Sequence, residues 1–234
     1  MASRRGLWRD AAGKTLADYP RPSVAVDTAV LTVGPRDRVE RGRPDLQLQV
    51  LLVCPHDHDG ALGWSLPGTF VHEGERLSDA VARSMREKAG FTGRLATTQM
   101  EVFDDPERDP RGWVLSVSHL AVVPFERVER LVVRREGRVR LVSVSRPGPL
   151  PYDHADIVKE AKRVLRSRYA REPDPFHLLG ASFTMSELRQ VHEAIAGTLL
   201  QRDTFRRVME PHLRSTDELR VGRAGRPSQI YART

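Results

Sequence analysis

The chain has 234 residues, 39% of them apolar and 29% charged, with 17 glycines and 16 prolines; that is ample for a packed core and excludes wholesale disorder. Mean hydropathy is −0.45, no apolar run nears the about 18 residues that cross a bilayer, and no apolar stretch follows the basic N-terminus, so neither a membrane span nor a secretory signal is read. The net charge is +7, and 34 of the 38 basic residues are arginine, whose planar fork suits phosphates and guanine edges, although an arginine-rich proteome would give the same count. The single cysteine, Cys54, has no partner in the chain and closes the apolar run Val50–Val53, which reads as a packed, inert thiol in a cytoplasmic protein.

Residues 1–20 show no sustained periodicity and read as a flexible arm. The β-branched run Val24–Val33 predicts a strand, and Leu46–Val53 alternates before becoming fully apolar, as a strand entering a core does. The loop Pro55–Gly63 carries His56, Asp57, His58 and Asp59; alternate residues of this kind in a polar loop read as solvated rather than as metal ligands. After the short segment Trp64–Gly68, an amphipathic helix is predicted over Leu77–Ala89. Leu77, Val81 and Met85 recur every four residues there, and Gly90 stands at the C-cap. Extended segments follow at Met100–Phe103 and Trp113–Val123, joined by the acidic loop Asp104–Gly112, and further strands are read at Val128–Val133 and Arg138–Val144. A helix over His154–Tyr169 carries Ile157, Ala161, Val164, Leu165 and Arg168 on one face, and Glu172–Pro175, with prolines at alternate positions, reads as a linker.

Beyond it the texture changes. Thr184 and Glu187 form a capping box opening a helix with Leu188, Val191 and Ile195 on one face, closed by Gly197. A second helix over Gln201–Glu210 turns Phe205, Val208 and Met209 inward and leaves Arg202, Thr204, Arg206 and Arg207 outward. Leu213–Val221 and the stretch Gly222–Tyr231 then make a basic hairpin with glycine at its tip. Two helices and such a hairpin are the pattern of a winged helix-turn-helix, which sets its second helix in the major groove.

The segment Leu66–Phe91 resembles the Nudix box: Gly, five residues, Glu, seven residues, Arg-Glu, an apolar residue, one more, Glu-Glu, one more, then Gly and an apolar residue. Glu75, Arg83, Met85, Glu87, Gly90 and Phe91 fall on that pattern, whereas Thr69 replaces its first glycine, Ser84 the first clustered glutamate and Lys88 the last. In the family those glutamates hold Mg²⁺, a hard cation that takes oxygen ligands. Lys88 near such an ion would be repelled by about 8 kcal/mol at about 4 Å and an effective dielectric of about 20. The resemblance therefore implies an α/β (α+β) fold, a Nudix-like α/β/α sandwich with a mixed sheet, that binds a nucleoside diphosphate derivative without cleaving it. No catalytic or metal residue is assigned. Phe70, Arg83, Glu87, Asp105, Arg111 and His154 are the effector-binding candidates, Arg111 by analogy with a cleft-bordering loop of Nudix proteins close to ADP-ribose pyrophosphatases.

An eroded Nudix box joined to a basic winged helix resembles the Nudix-related transcriptional regulators of NAD metabolism. The stretches Tyr152–Ile157, Phe183–Leu188, Asp203–Arg207 and Gly225–Tyr231 carry the resemblance, which spans about residues 24–234. It implies an arm at 1–20, a Nudix-like effector-binding domain at 21–172 and a small DNA-binding winged helix-turn-helix at 173–234. It further implies a cytoplasmic, nucleoid-associated homodimer that represses NAD biosynthesis or salvage genes at a palindromic operator, with ADP-ribose or a related nucleotide as effector and no required cofactor. The DNA-binding candidates are Arg202, Thr204, Arg206, Arg207, Arg220, Arg223, Arg226, Gln229 and Tyr231. The alternative is an active Nudix hydrolase of ADP-ribose or another nucleoside diphosphate derivative, using Mg²⁺ gathered by Glu75, Glu87 and an acidic residue of the 104–109 loop.

Overall fold

The computed structural model describes residues 8–36, 38, 41–54, 63–220 and 227–234. The loop at 56–59, read as solvated, and the hairpin tip with Arg223 and Arg226 lie outside them, as does most of the basic start of the arm.

Strand β1 (Ser23–Pro35) is the axis of the first sheet. It pairs antiparallel with β2 (Leu46–Val53) and β3 (Gly68–Phe70), and parallel with β5 (Val114–Val122). With β4 (Thr98–Phe103) outside β5 and β6 (Val139–Ser143) outside β2, the order is β4-β5-β1-β2-β6, a mixed sheet. Alternation sorts its side chains onto two faces. Ala29, Leu31 and Val33 of β1 with Leu48, Val50 and Leu52 of β2 pack against α3 (His154–Tyr169). Val26, Val30, Leu51 and Val53 face the other way, onto α1 (Leu77–Ser84) and α2 (Phe125–Arg134). The result is an α/β/α sandwich. Among the described residues no helix is long and apolar enough to cross a membrane.

Three local expectations are corrected. Val128–Val133 is not a strand but part of α2, where Val128 and Leu131 are buried at helical spacing; Pro124 at its N-cap starts the helix, and packing on the sheet overrides the β-branched pair Val132–Val133. The helix beginning at Leu77 changes to a single π turn over Met85–Ala89 before Gly90 ends it in the left-handed conformation. Arg168, expected on the apolar face of α3, is exposed beside Glu172, and Tyr169 takes the buried position. Cys54 is only half-buried, at the end of β2.

The C-terminal part has a core of its own, built from Phe183, Leu188, Phe205, Met209 and Tyr231. Strands β7 (Ser182–Thr184), β8 (Leu213–Arg220) and β9 (Ser228–Arg233) form a three-stranded sheet in the order β7-β9-β8, against α4 (Met185–Ala196) and α5 (Arg202–Met209). The predicted capping box is in place: Glu187 N–H donates to Thr184 Oγ1 at 3.2 Å, and Thr184 N–H donates to Glu187 Oε2 at 2.7 Å. Val191, Ala194 and Ile195 of α4 join the first domain's core, so this helix serves both hydrophobic clusters.

The Glu172–Pro175 segment, expected as a linker, is a packed joint. Asp174 is 1% exposed and accepts hydrogen bonds from Tyr169 Oη (2.7 Å), the backbone N–H groups of Leu178 and Leu179 (3.0 Å each) and Arg233 Nη1 (2.7 Å). The prolines do end the helix, but a buried carboxylate with four donors needs an ordered surround. That surround ties the end of α3, the segment before β7 and the last strand together.

Candidate functional site

A cavity of about 250 Å³ opens where β1, the loop before β3, the 104–112 loop and the start of α3 meet. Its floor is a charged, buried network. Asp27, placed mid-strand in β1, accepts from Ser116 Oγ at 2.6 Å and lies 3.4 Å from His154 Nε2. The Leu66 N–H donates to His154 Nδ1 at 3.1 Å, so that nitrogen is the acceptor and the ring proton sits on Nε2, toward Asp27. Arg108 grips Asp153 through two bonds of 2.6 Å and reaches Asp27 at 3.5 Å. Burial alone would raise the Asp27 pKa, but the hydrogen bonds from His154 and Ser116 and the Arg108 charge outweigh it and hold the carboxyl below its ordinary value. Gly68 is required beside it: a Cβ there would stand 1.8 Å from Asp27 Oδ1.

The mouth is aromatic and cationic. The Arg111 guanidinium lies 5.2 Å from the ring centres of both Phe70 and Tyr152, and Asp109 holds it by bonds of 2.9 and 2.7 Å. Its side chain remains 54% exposed, free to meet a ligand. Tyr152 adopts φ of +54°, a left-handed conformation unusual for a bulky residue, and packs edge-on to His154 with ring centres 5.6 Å apart. Lys88, carried by the π turn, lines the cavity as well; crowding by protein atoms lowers its pKa, with Asp27 opposing that shift and Arg111 adding to it.

Of the six effector-binding candidates, Phe70, Arg111 and His154 line this cavity, whereas Arg83, Glu87 and Asp105 do not. Arg83 is a structural clamp: it donates to both Glu75 oxygens at 2.9 and 2.8 Å, to Thr69 Oγ1 at 3.0 Å and to the Phe70 carbonyl at 2.8 Å, pinning the loop after β3 to α1. This pairing holds the Glu75 pKa down at about 2. Glu87 faces solvent beside Arg86, and Asp105 caps its own turn through the Glu107 N–H at 2.9 Å. Asp27, Lys88, Arg108 and Tyr152 are the cavity residues that sequence reading passed over as site members. Lys88 had left a signal, as a cation where the box wants a carboxylate, and Tyr152 had left one as the first residue of a stretch that carries the family resemblance.

These residues do not fit a magnesium centre. Glu75 is committed to Arg83, Ser84 offers no charge, Lys88 brings the wrong one, and Glu87 is turned outward. Among the described residues no group of three or more His, Cys, Asp and Glu side chains is arranged to hold a metal ion.

The second region is the outer face of α5 and the hairpin β8–β9. Arg202, Thr204, Arg206 and Arg207 are exposed. Val208 is 49% exposed rather than inward, because Phe205 and Met209, one turn apart, already define the buried line. Arg206 makes bonds of 3.0 and 2.8 Å with Glu210, and Tyr231 Oη donates to Glu210 at 2.6 Å, which holds the Glu210 pKa at about 2. Arg220 pairs with Glu187 at 2.5 Å. Gln229 donates to the backbone of Thr216 and Ile230, and Tyr231 is buried, so both serve the hairpin itself.

Comparison with known proteins finds two families along the chain. The NUDIX domain family matches residues 39–161, and the NrtR DNA-binding winged helix domain matches residues 175–232. The ADPR responsive transcriptional repressor NtrR of Acinetobacter baylyi is 29% identical over 221 residues, covering 92% of this chain and 83% of that protein. The crystal structure of Shewanella oneidensis NrtR complexed with a 27mer DNA superposes with a TM-score of 0.71 at 28% identity, over 90% of this chain and 93% of that one. An ADP-ribose pyrophosphatase of Methanocaldococcus jannaschii is 26% identical over 145 residues, 62% of this chain and 76% of that protein.

Proposed function

Since the chain belongs to the NUDIX domain family and carries a winged helix at its C-terminal end, we propose that it is a DNA-binding transcriptional repressor that senses ADP-ribose. The observation that carries this reading is the pairing, in one chain, of a Nudix cavity with Lys88 at a carboxylate position and a winged helix whose second helix leaves its arginines in solvent. The first keeps a ligand site and removes the metal ligands; the second supplies a groove-binding face. ADP-ribose fits the cavity chemically, because its pyrophosphate meets Lys88 and Arg111 while the rings of Phe70 and Tyr152 offer planar surfaces. The relatives' names, a repressor responsive to ADPR and an NrtR held on DNA, support the same assignment.

In this reading two protomers pair and present two winged helices to a palindromic operator of NAD biosynthesis or salvage genes, in the cytoplasm. Arg202, Thr204 and Arg207 of α5 approach the bases, and Arg206 does so once it leaves Glu210. Arg220, Arg223 and Arg226 hold the backbone. If about six phosphates are neutralised per dimer, log K falls against log salt with a slope near −5. Helix α3 is the relay. Its first turn holds His154 and the Asp153 clamp on Arg108, and its last turn ends at Tyr169 on the Asp174 joint. At about 1.5 Å per residue its 16 residues form a rod of about 24 Å between the two regions. A ligand that draws on Arg108 or Tyr152 thereby shifts the base on which α4 sits.

The test is fluorescence anisotropy on duplexes from the promoter of a neighbouring NAD-metabolism gene, with scrambled duplexes as controls and ADP-ribose titrated in at fixed salt. Sequence-dependent binding that ADP-ribose reverses is the expected result; equal binding on every duplex would refute the reading. AMP release from ADP-ribose with Mg²⁺ or Mn²⁺, at ordinary enzyme turnover and abolished by Glu87→Gln, would establish the hydrolase instead.

A further inference from the structure

A second concavity, of about 350 Å³, lies at the seam between the two domains, and it shares no lining residue with the Asp27 cavity. Its walls come from the ends of β1 and β2, the segment after β6, the outer side of α3 and the C-terminal end of α4. Five cations line it: Arg36, Arg43, Arg146, Lys162 and Arg166, with no carboxylate among the described lining residues. Some of them have local work, Arg43 among them. Arg166 donates to the carbonyls of Ile195 and Ala196 at 2.9 and 2.5 Å, closing the end of α4, and Arg36 Nε donates to the Pro44 carbonyl at 3.0 Å. None of Arg36, Arg146, Lys162 and Arg166 forms an ion pair with a described carboxylate. The resulting crowding is felt by Lys162, whose pKa is lowered first by burial and then by Arg166.

A separate observation points the same way. Gln47 lines the concavity, is 5% exposed, and its amide nitrogen has no hydrogen-bond partner among the described residues. A buried amide donor without an acceptor is costly, and one set among several cations is a donor for which an anion would be the acceptor. A phosphate answers both: it neutralises the cations and accepts from amide and guanidinium alike. The volume exceeds one phosphate group, and Leu48, Val144 and Ile195 supply an apolar wall for a compact organic body.

We infer that this seam binds a phosphorylated small molecule at a second ligand site, distinct from the Nudix cavity. The class follows from the shape. A duplex backbone runs along a surface, whereas a terminal phosphate can enter a concavity and reach a buried amide. Because α4 belongs to both hydrophobic clusters and also closes this site, an occupant touches both domains at once. The inference stands on the seam's own residues and does not need ADP-ribose in the other cavity.

The test is calorimetric titration of the full chain with inorganic pyrophosphate as probe. Saturable binding is expected, with the event at the seam weakened at least fivefold by Arg146→Ala. Gln47→Leu should weaken it as well while keeping the shape and charge of the chain, which guards against loss through misfolding. Arg111→Ala, in the other cavity, should leave this binding event in place. Binding lost only in Arg111→Ala, binding unchanged in all three variants, or no saturable binding would each overturn the proposal. A loss of duplex affinity in Arg146→Ala and Gln47→Leu with pyrophosphate binding intact would also overturn it, giving the seam to DNA.

Discussion

The cavity of the first domain and the arginine face of the second are both rich in charge, yet they hold it in opposite ways. Around Asp27 the charges are buried and already paired: Arg108 is 8% exposed and bonded to Asp153, and His154 is fixed by the Leu66 backbone. On α5 they stand in solvent, one of them, Arg206, held by an exposed carboxylate that a phosphate could displace. A preformed network suits a small ligand that must be recognised group by group. An exposed, screened set suits a polyanion whose binding is governed by counterion release. Removing a buried, paired charge should therefore destabilise the first region, whereas removing an exposed one on α5 should merely weaken binding.

The largest effect is expected from Arg108→Ala. It leaves the Asp27 and Asp153 carboxylates without their shared cation, a loss of about 3–5 kcal/mol for a broken buried pair. At about 2–4 °C per kcal/mol for a chain of this size, the melting temperature read by circular dichroism should drop by about 10 °C. A drop under about 2 °C would erase the contrast. Next comes Arg111→Ala at the cavity mouth. Because this side chain is half in solvent, the melting temperature should hold within about 2 °C while ADP-ribose affinity, measured by calorimetry, falls about tenfold or more, or about 1.4 kcal/mol. A variant that melts early with unchanged affinity would reverse the roles of the two arginines.

The joint between the regions should respond to pH. Burial lowers the His192 pKa, partly offset by its contact with the Pro173 carbonyl, so the folded value lies under the unfolded value of about 6.5. Below about pH 6.5 the unfolded chain binds the additional proton. The stability due to neutral His192 is thus complete above that pH and declines as pH falls toward the folded value. His119 is lowered by burial too and adds to the trend. Melting temperatures should fall from pH 7.5 to pH 5.5, and His192→Gln should shrink that fall; an unchanged slope would remove His192 from the account. The smallest effect belongs to Val208→Ala, within about 0.5 kcal/mol for an exposed position, against about 3–5 kcal/mol for Phe205→Ala one turn's face away. Equal losses in urea melts would mean that α5 is rotated.

Much of the fold was legible because periodicity and capping are local. The four-residue recurrence of Leu77, Val81 and Met85 located α1, the Thr184–Glu187 pair located α4, and the approximate span read for α3 matches the helix His154–Tyr169. The failures are equally physical. Val128–Val133 carries β-branched residues that the sheet surface accepts as a helix, and the prolines around Asp174 signal a chain break without revealing that four donors converge on the carboxylate between them. The candidate site was half legible. Box residues such as Arg83 and Glu87 stand out by spacing, but spacing cannot tell a loop clamp from a ligand contact. Asp27 and Arg108, 81 positions apart, meet only through the parallel pairing of β1 with β5 and the loop that precedes it. No local pattern encodes that meeting.

The central claim is that the two regions are coupled, and linkage makes it testable from either end. ADP-ribose should be titrated by calorimetry into the free protein and into the protein saturated with operator duplex. The account predicts weaker binding to the complex, by the same factor with which ADP-ribose weakens the duplex. Identical affinities in the two titrations would contradict it.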